Sequence, residues 1–221
     1  VEDPAKLSLS GEYQDTSVLF TDLAGFTSIA ERLPPLELNR LLTTYFSAMV
    51  DVLLEHDGTL DKFIGDAIMG FFGVPVAHPD HHERAVATAW GMQVALDELN
   101  ARWHKEGIEP LGMRIGINSG RAIAGNIGTP KVFNYTVMGD CVNLAARLES
   151  ANKFYGTRIL VGADTRHRVS DAFAFRHLDR VAVKGKSEAV DIFEVLGPSA
   201  SLDAERQAQV AAYEQALGEY L

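Results

Sequence analysis

The chain has 221 residues, enough for one well-filled domain, and its 47% hydrophobic content is that of a globular protein rather than a disordered one. Its formal net charge of −10 excludes a nucleic-acid polymer as partner, which needs a basic footprint, but leaves room for a small phosphorylated ligand, which needs only a few local cations. No stretch approaches the roughly eighteen uninterrupted apolar residues of a membrane span, so no membrane contact is expected of this fragment.

The N-terminal residues are polar and carry no signal-peptide core. Cys141 is the single cysteine, which rules out an internal disulfide and points to a reducing, cytoplasmic setting, although a longer parent could be anchored upstream. Residues 1–13 read as a linker, 14–197 as the folded domain, and 198–221 as a solvated helical tail or the start of a further helical region.

Along the domain, residues 17–22 (SVLFTD) are rich in strand formers and read as a buried strand ending at Asp22. Residues 26–33 and 36–55 are helical, with Pro34-Pro35 as the break. Leu38, Leu41, Leu42, Tyr45, Met49 and Val52 form the expected buried stripe of the second helix. Residues 59–72 (TLDKFIGDAIMGFF) are two strands around a two-residue turn at Gly65-Asp66. A long helix is predicted over about 80–103, then a strand pair at 112–119 and 121–127, and another strand at 132–137. Asp140 is placed to cap a helix running to about Asn152. Shorter strands are predicted at 158–161, 173–178 and 190–196. Strand pairs alternating with helices give a layered α+β domain with a mainly antiparallel sheet.

The common nucleotide signatures, the phosphate loop and the GxGxxG fingerprint, are absent, as are the GxSxG elbow of hydrolases and the HExxH helix of zinc proteases. His78, His81 and His82 cluster around Pro79-Asp80, a combination read as a helix start rather than a metal site. Chemistry must therefore rest on a scattered constellation. Asp22 ends an apolar strand and Asp66 sits in a turn between two others. A lone Asp in such a place commonly serves the turn itself, bonding nearby backbone. Two on neighbouring strands at the edge of a core are costly unless paired or bound to a cation. They suit Mg2+, which takes one or two protein carboxylates and completes its shell with water and phosphate oxygens. Asn143 and Arg147 stand four apart on one helix face, where an always-charged guanidinium can meet charge developing on phosphoryl oxygens. Lys62, Arg121, Lys184 and Lys186 are further cations in or beside strands.

SVLFTDLAGFT, DKFIGDAIMGFFG, GMRIGINSGRAIAGNIG and YTVMGDCVNLAARLE, in that order, resemble the class III nucleotidyl cyclase catalytic domain over about residues 14–197. The resemblance implies a ferredoxin-like βαββαβ core with extra strands. It also implies a head-to-tail homodimer with ATP bound at two shared sites, two divalent metal ions (Mg2+ or Mn2+), and regulatory domains elsewhere in the full-length protein. It matches Asp22 and Asp66 to the metal aspartates, Asn143 to the ribose-orienting residue and Arg147 to the residue that stabilises the pentavalent phosphorus. Arg121 and Lys184 match cations for the triphosphate tail.

Lys62 matches the lysine that contacts adenine, and Thr136 the second base-reading position. Thr136 departs from the most familiar pattern, which has Asp there, and resembles a subgroup of adenylyl cyclases. A threonine hydroxyl donates as well as accepts, so looser base selectivity is expected than with a Lys/Asp pair. The expected activity is adenylyl cyclase. The alternatives are a guanylyl cyclase, against which Lys62 argues, and a non-catalytic dimerisation or sensor module, which would be expected to lack one of the residues above. A polymerase or dinucleotide cyclase would carry a GGDEF-like signature, which is missing.

Overall fold

A computed structural model describes residues 10–182 and 189–220. The chain runs β1 (Gly11–Ala24), α1 (Phe26–Arg32), α2 (Pro35–Glu55), β2 (Thr59–Ile64), β3 (Ala67–Phe72), α3 (His81–Lys105) and β4 (Gly112–Gly128). It continues with β5 (Phe133–Met138), α4 (Asp140–Tyr155), β6 (Ile159–Gly162), a short α5 (Ala163–Arg166), β7 (Phe173–Ala182), β8 (Ala189–Pro198) and α6 (Ala204–Tyr220).

The sheet order is β2-β3-β1-β4-β6-β8-β7, with β5 paired to β4 off that path. The β2-β3-β1-β4 half is antiparallel throughout, and it is reached by two helical crossovers, the βαββαβ arrangement expected from the sequence. Among the described residues, only β4 and β6 run parallel. Helices α2 and α3 share one large apolar cluster with the sheet, including Leu19, Leu23, Tyr45, Met49, Leu53, Met92 and Ile115. The other face carries α4, through Val18, Phe71, Ala122, Val142 and Ala145. Both sheet faces are thereby covered, and β1 is buried continuously from Thr16 to Leu19.

Several local expectations need correction. The first strand begins at Gly11, so residues 11–13 pair with Ile123–Gly125 of β4 rather than forming a linker. The predicted pair at 112–119 and 121–127 is one strand. Gly120 continues it opposite Thr16 at φ +153°, a conformation that side chains rarely adopt. Helix α4 has Gly139 rather than Asp140 at its N-cap; Asp140 is the first helical residue, where its charge suits the helix dipole. In α2 the buried positions are Leu41, Tyr45, Met49 and Leu53, with Leu38, Leu42 and Val52 half-buried beside them.

The tail helix α6 buries no residue, as a solvated helix should, yet it is fastened to β7. Tyr213 Oη donates to the Leu178 carbonyl at 2.8 Å, and the Arg176 guanidinium lies 4.7 Å from the Tyr213 ring centre. No helix among the described residues is long and apolar enough to cross a membrane.

Candidate active site

Asp22 is the last but two of the β1 residues, and its direct cross-strand partner on β4 is Arg114. Partners in register share a face, so the Arg114 guanidinium lies against the Asp22 carboxylate as an ion pair. Arg114 Nε also stands 3.4 Å from Glu149 Oε1 of α4. That approach requires the helix to lie very close to the sheet. Gly116 allows it, because a Cβ there would fall 2.3 Å from the Ala145 carbonyl oxygen and 2.1 Å from the Glu149 nitrogen.

Asp66 follows Gly65 in the β2–β3 turn, as expected, and the turn is folded back against the end of β1. Its Oδ2 accepts the Leu23 N–H at 3.3 Å. Burial, and then the Asp22 charge, hold the Asp66 carboxyl above the usual range. Burial and Asp22 act on Glu149 in the same direction. Beneath the pair, Tyr45 is fully buried with its Oη 3.3 Å from Met113 Sδ, and burial raises its phenol well above the ordinary value. The structure thus brings both sequence-predicted acids together at one end of the sheet, where Arg114 is the cation paired with Asp22 among the described residues. Hard oxygen donors, one of them raised in part by the charge of the other, are a fitting set for a divalent cation, which would relieve the repulsion.

Lys62 lies on β2, the edge strand. A bulge between Leu60 and Lys62 leaves Asp61 as the extra residue, and Lys62 Nζ stands 3.0 Å from Asp61 Oδ1. The other Asp61 oxygen accepts the hydroxyl proton of Thr136 from β5. The structure therefore joins the two proposed base-reading residues through a third that the sequence reading passed over.

Asn143 and Arg147 are exposed on α4, and neither side chain makes a hydrogen bond or ion pair with the described residues. Arg121 is exposed on β4, its guanidinium 5.0 Å from the Tyr13 ring centre. Lys184 and Lys186 lie outside the described residues.

The histidines form no metal cluster among the described residues. His81 is instead a buried structural residue. Its Nδ1 is hydrogen-bonded to Ser17 Oγ at 2.8 Å, in a chain that continues through Ser119 to Thr165, and burial lowers its pKa.

A ferredoxin-like sheet that gathers two acids at a strand end and presents exposed cationic and amide side chains on the adjoining helix has the makings of a metal-assisted phosphoryl enzyme. Residues 9–195 match the adenylate and guanylate cyclase catalytic domain, and the chain belongs to that family. It is 37% identical over 184 residues to adenylate cyclase 1 of Rhizobium meliloti, covering 83% of this chain and 28% of that protein. It is likewise 37% identical over 186 residues to an adenylate cyclase of Anabaena cylindrica, covering 81% of this chain and 36% of the relative. The chain thus spans about a third of the length of these curated relatives.

Among solved structures, the adenylyl cyclase CyaB of P. aeruginosa superposes with a TM-score of 0.81 at 35% identity, over 88% of this chain and all of that one. The guanylyl cyclase Cya2 superposes at 0.79 and 38%, over 88% and 98%. Two such similar neighbours named for different bases mean that overall likeness does not choose the base; local residues must.

Proposed function

We propose that this domain converts ATP to 3′,5′-cyclic AMP and pyrophosphate, by in-line attack of the ribose 3′-hydroxyl on the α-phosphorus, at sites shared between two copies in a head-to-tail homodimer. The observation that carries the shared site is the division of α4. Glu149 faces the Asp22–Arg114 pair, whereas Arg147, two residues earlier, lies roughly 200° around the helix axis. An arginine turned away from its own acids, exposed and unpaired among the described residues, fits a site completed by another chain. The edge strand β2 offers a suitable contact: Phe63 and Ile64, beside the acidic turn, are 46% and 51% exposed. An apolar edge of this kind supports a two-fold contact that repeats on both chains.

In each site Asp22 and Asp66 of one chain would hold two divalent ions, Mg2+ or Mn2+. Bound there, the ions supply Lewis acidity to the 3′-hydroxyl and the phosphate oxygens. From the other chain, Lys62 and Thr136 bind the base and Asn143 orients the ribose. Arg147 meets the charge that develops on the equatorial oxygens, and Arg121 and Lys184 hold the triphosphate tail. The Arg121 stack on Tyr13 leaves its donors facing solvent, where a phosphate can reach them.

The direct test is to incubate the purified domain with ATP or GTP and either Mg2+ or Mn2+ and to identify the products. Cyclic AMP formed preferentially from ATP is expected. Cyclic GMP as the main product would make the domain a guanylyl cyclase, and no product from a folded dimer would make it a non-catalytic module.

A further inference from the structure

We propose that Asp61 is a positioning residue that sets base choice, by fixing the Thr136 hydroxyl as an acceptor toward the purine. The proposal rests on the adenylyl cyclase reading and deepens it. The Asp61 side chain is completely buried, and a buried carboxylate is retained only where its oxygens have partners. One oxygen accepts the Thr136 hydroxyl proton. The other has no hydrogen bond among the described residues but stands 3.0 Å from the Lys62 ammonium, as a charge contact.

Residues 61 and 62 would face opposite ways on a regular strand. The bulge between Leu60 and Lys62 disrupts that alternation, and bulges recur beside active sites because they re-aim side chains. Asp61 consequently touches both residues proposed to read the base, one on its own strand and one on β5.

The chemical consequence follows from counting protons. An ionised carboxylate only accepts, so the single Thr136 proton is committed to Asp61 and the hydroxyl offers its remaining lone pairs. Lys62 supplies the opposite role, a donor. A donor beside an acceptor matches the ring nitrogen and 6-amino group of adenine. Guanine presents an N–H and a carbonyl oxygen in those places, the reverse pattern. Thr136 held by Asp61 therefore does the work of an aspartate at that position, and the looser selectivity expected for a free hydroxyl does not follow. Thr136 is itself only 7% exposed, so a mismatched polar group there is not rescued by water.

The test compares kcat/KM for ATP and GTP in wild type, Asp61→Ala, and Asp61→Ala/Thr136→Asp. In Asp61→Ala the hydroxyl is free to turn and donate, and the ATP-over-GTP ratio should fall about ten- to hundredfold. The double variant puts an obligate acceptor at 136 and should recover the ratio. A purely structural role for Asp61 would lower both substrates together and leave the ratio unchanged. Asp61→Asn covers the case in which alanine unfolds the hairpin: its neutral amide no longer obliges Thr136 to donate, and the ratio should again fall. A wild type that prefers ATP, with the ratio unmoved in folded Asp61 variants or unrecovered in the double variant, would overturn this inference alone. A wild type that prefers GTP would overturn the functional reading and this inference with it.

Discussion

The two ends of the proposed site differ in how complete they are within one chain. At the β1 end, Asp22 and Asp66 are embedded in the fold: Arg114 and Glu149 extend a charge chain from the sheet to α4, Leu23 donates to Asp66, and Tyr45 closes the floor. On α4, Asn143 and Arg147 stand in solvent with no side-chain partner among the described residues. The acidic half is held in place before any ligand arrives, at a cost visible in the raised carboxyls. The cationic half is left open, as the proposed site shared between two chains requires. Strain stored in the first half and open valence in the second are what a cation-and-phosphate ligand, delivered across an interface, would resolve together.

Four substitutions bear on that contrast, in descending order of effect. Asp66→Ala should lower cyclase turnover by on the order of 10³-fold or more while the circular dichroism and melting profile remain those of a folded domain. Activity within tenfold of wild type would remove Asp66 from the metal site. Arg147→Ala should cost about 10²- to 10³-fold, in kcat rather than KM, because its partner exists only in the transition state. Being exposed, it should leave the melting temperature within about a degree.

Arg114→Met acts on the embedded half alone. It leaves Asp22 and Glu149 facing each other without the intervening cation and should lower stability by about 1–3 kcal/mol at neutral pH. The loss should shrink as pH falls, since Glu149, already held above the carboxylate range, then takes up a proton. Urea melts across that range would show a constant difference if Arg114 only packs.

Asp66→Asn is the smallest and has the opposite sign. Folding raises the Asp66 pKa, so the cost of its charge is absent below the unfolded value of about 4 and grows as pH rises through the folded one. Asparagine keeps an oxygen for the Leu23 N–H and removes the charge. The inactive variant should therefore melt higher than wild type at pH 7, on the order of 2 °C, with the gain vanishing in acid. A lower melting temperature at pH 7 would mean that the acidic end is not strained.

Much of this was legible in the sequence where neighbours along the chain decide the outcome. The Pro34-Pro35 break and the Gly65-Asp66 turn are local and formed as expected, and the helical stripe around Tyr45 formed with Leu41, Tyr45 and Met49 buried as expected and Leu53 buried in addition. What escaped depends on register. Asp22 meets Arg114 only because β1 and β4 pair in one alignment across 92 positions. On a regular strand Asp61 would face away from Lys62, and a bulge that leaves no mark in composition placed it between Lys62 and Thr136. Gly120 read as a break because glycine usually is one; here it prolongs the strand that carries both Arg114 and Arg121.

The division between a complete acidic half and an open cationic half is tested most directly by mixing Asp66→Ala with Arg147→Ala, each inactive alone. In a mixed dimer one site collects both lesions, while the other receives intact acids from one chain and an intact arginine from its partner. Random pairing makes half the dimers mixed, each with one good site of two, so activity should return to about a quarter of wild type. No recovery after demonstrated subunit exchange would mean that each chain builds its own site, and would contradict the account.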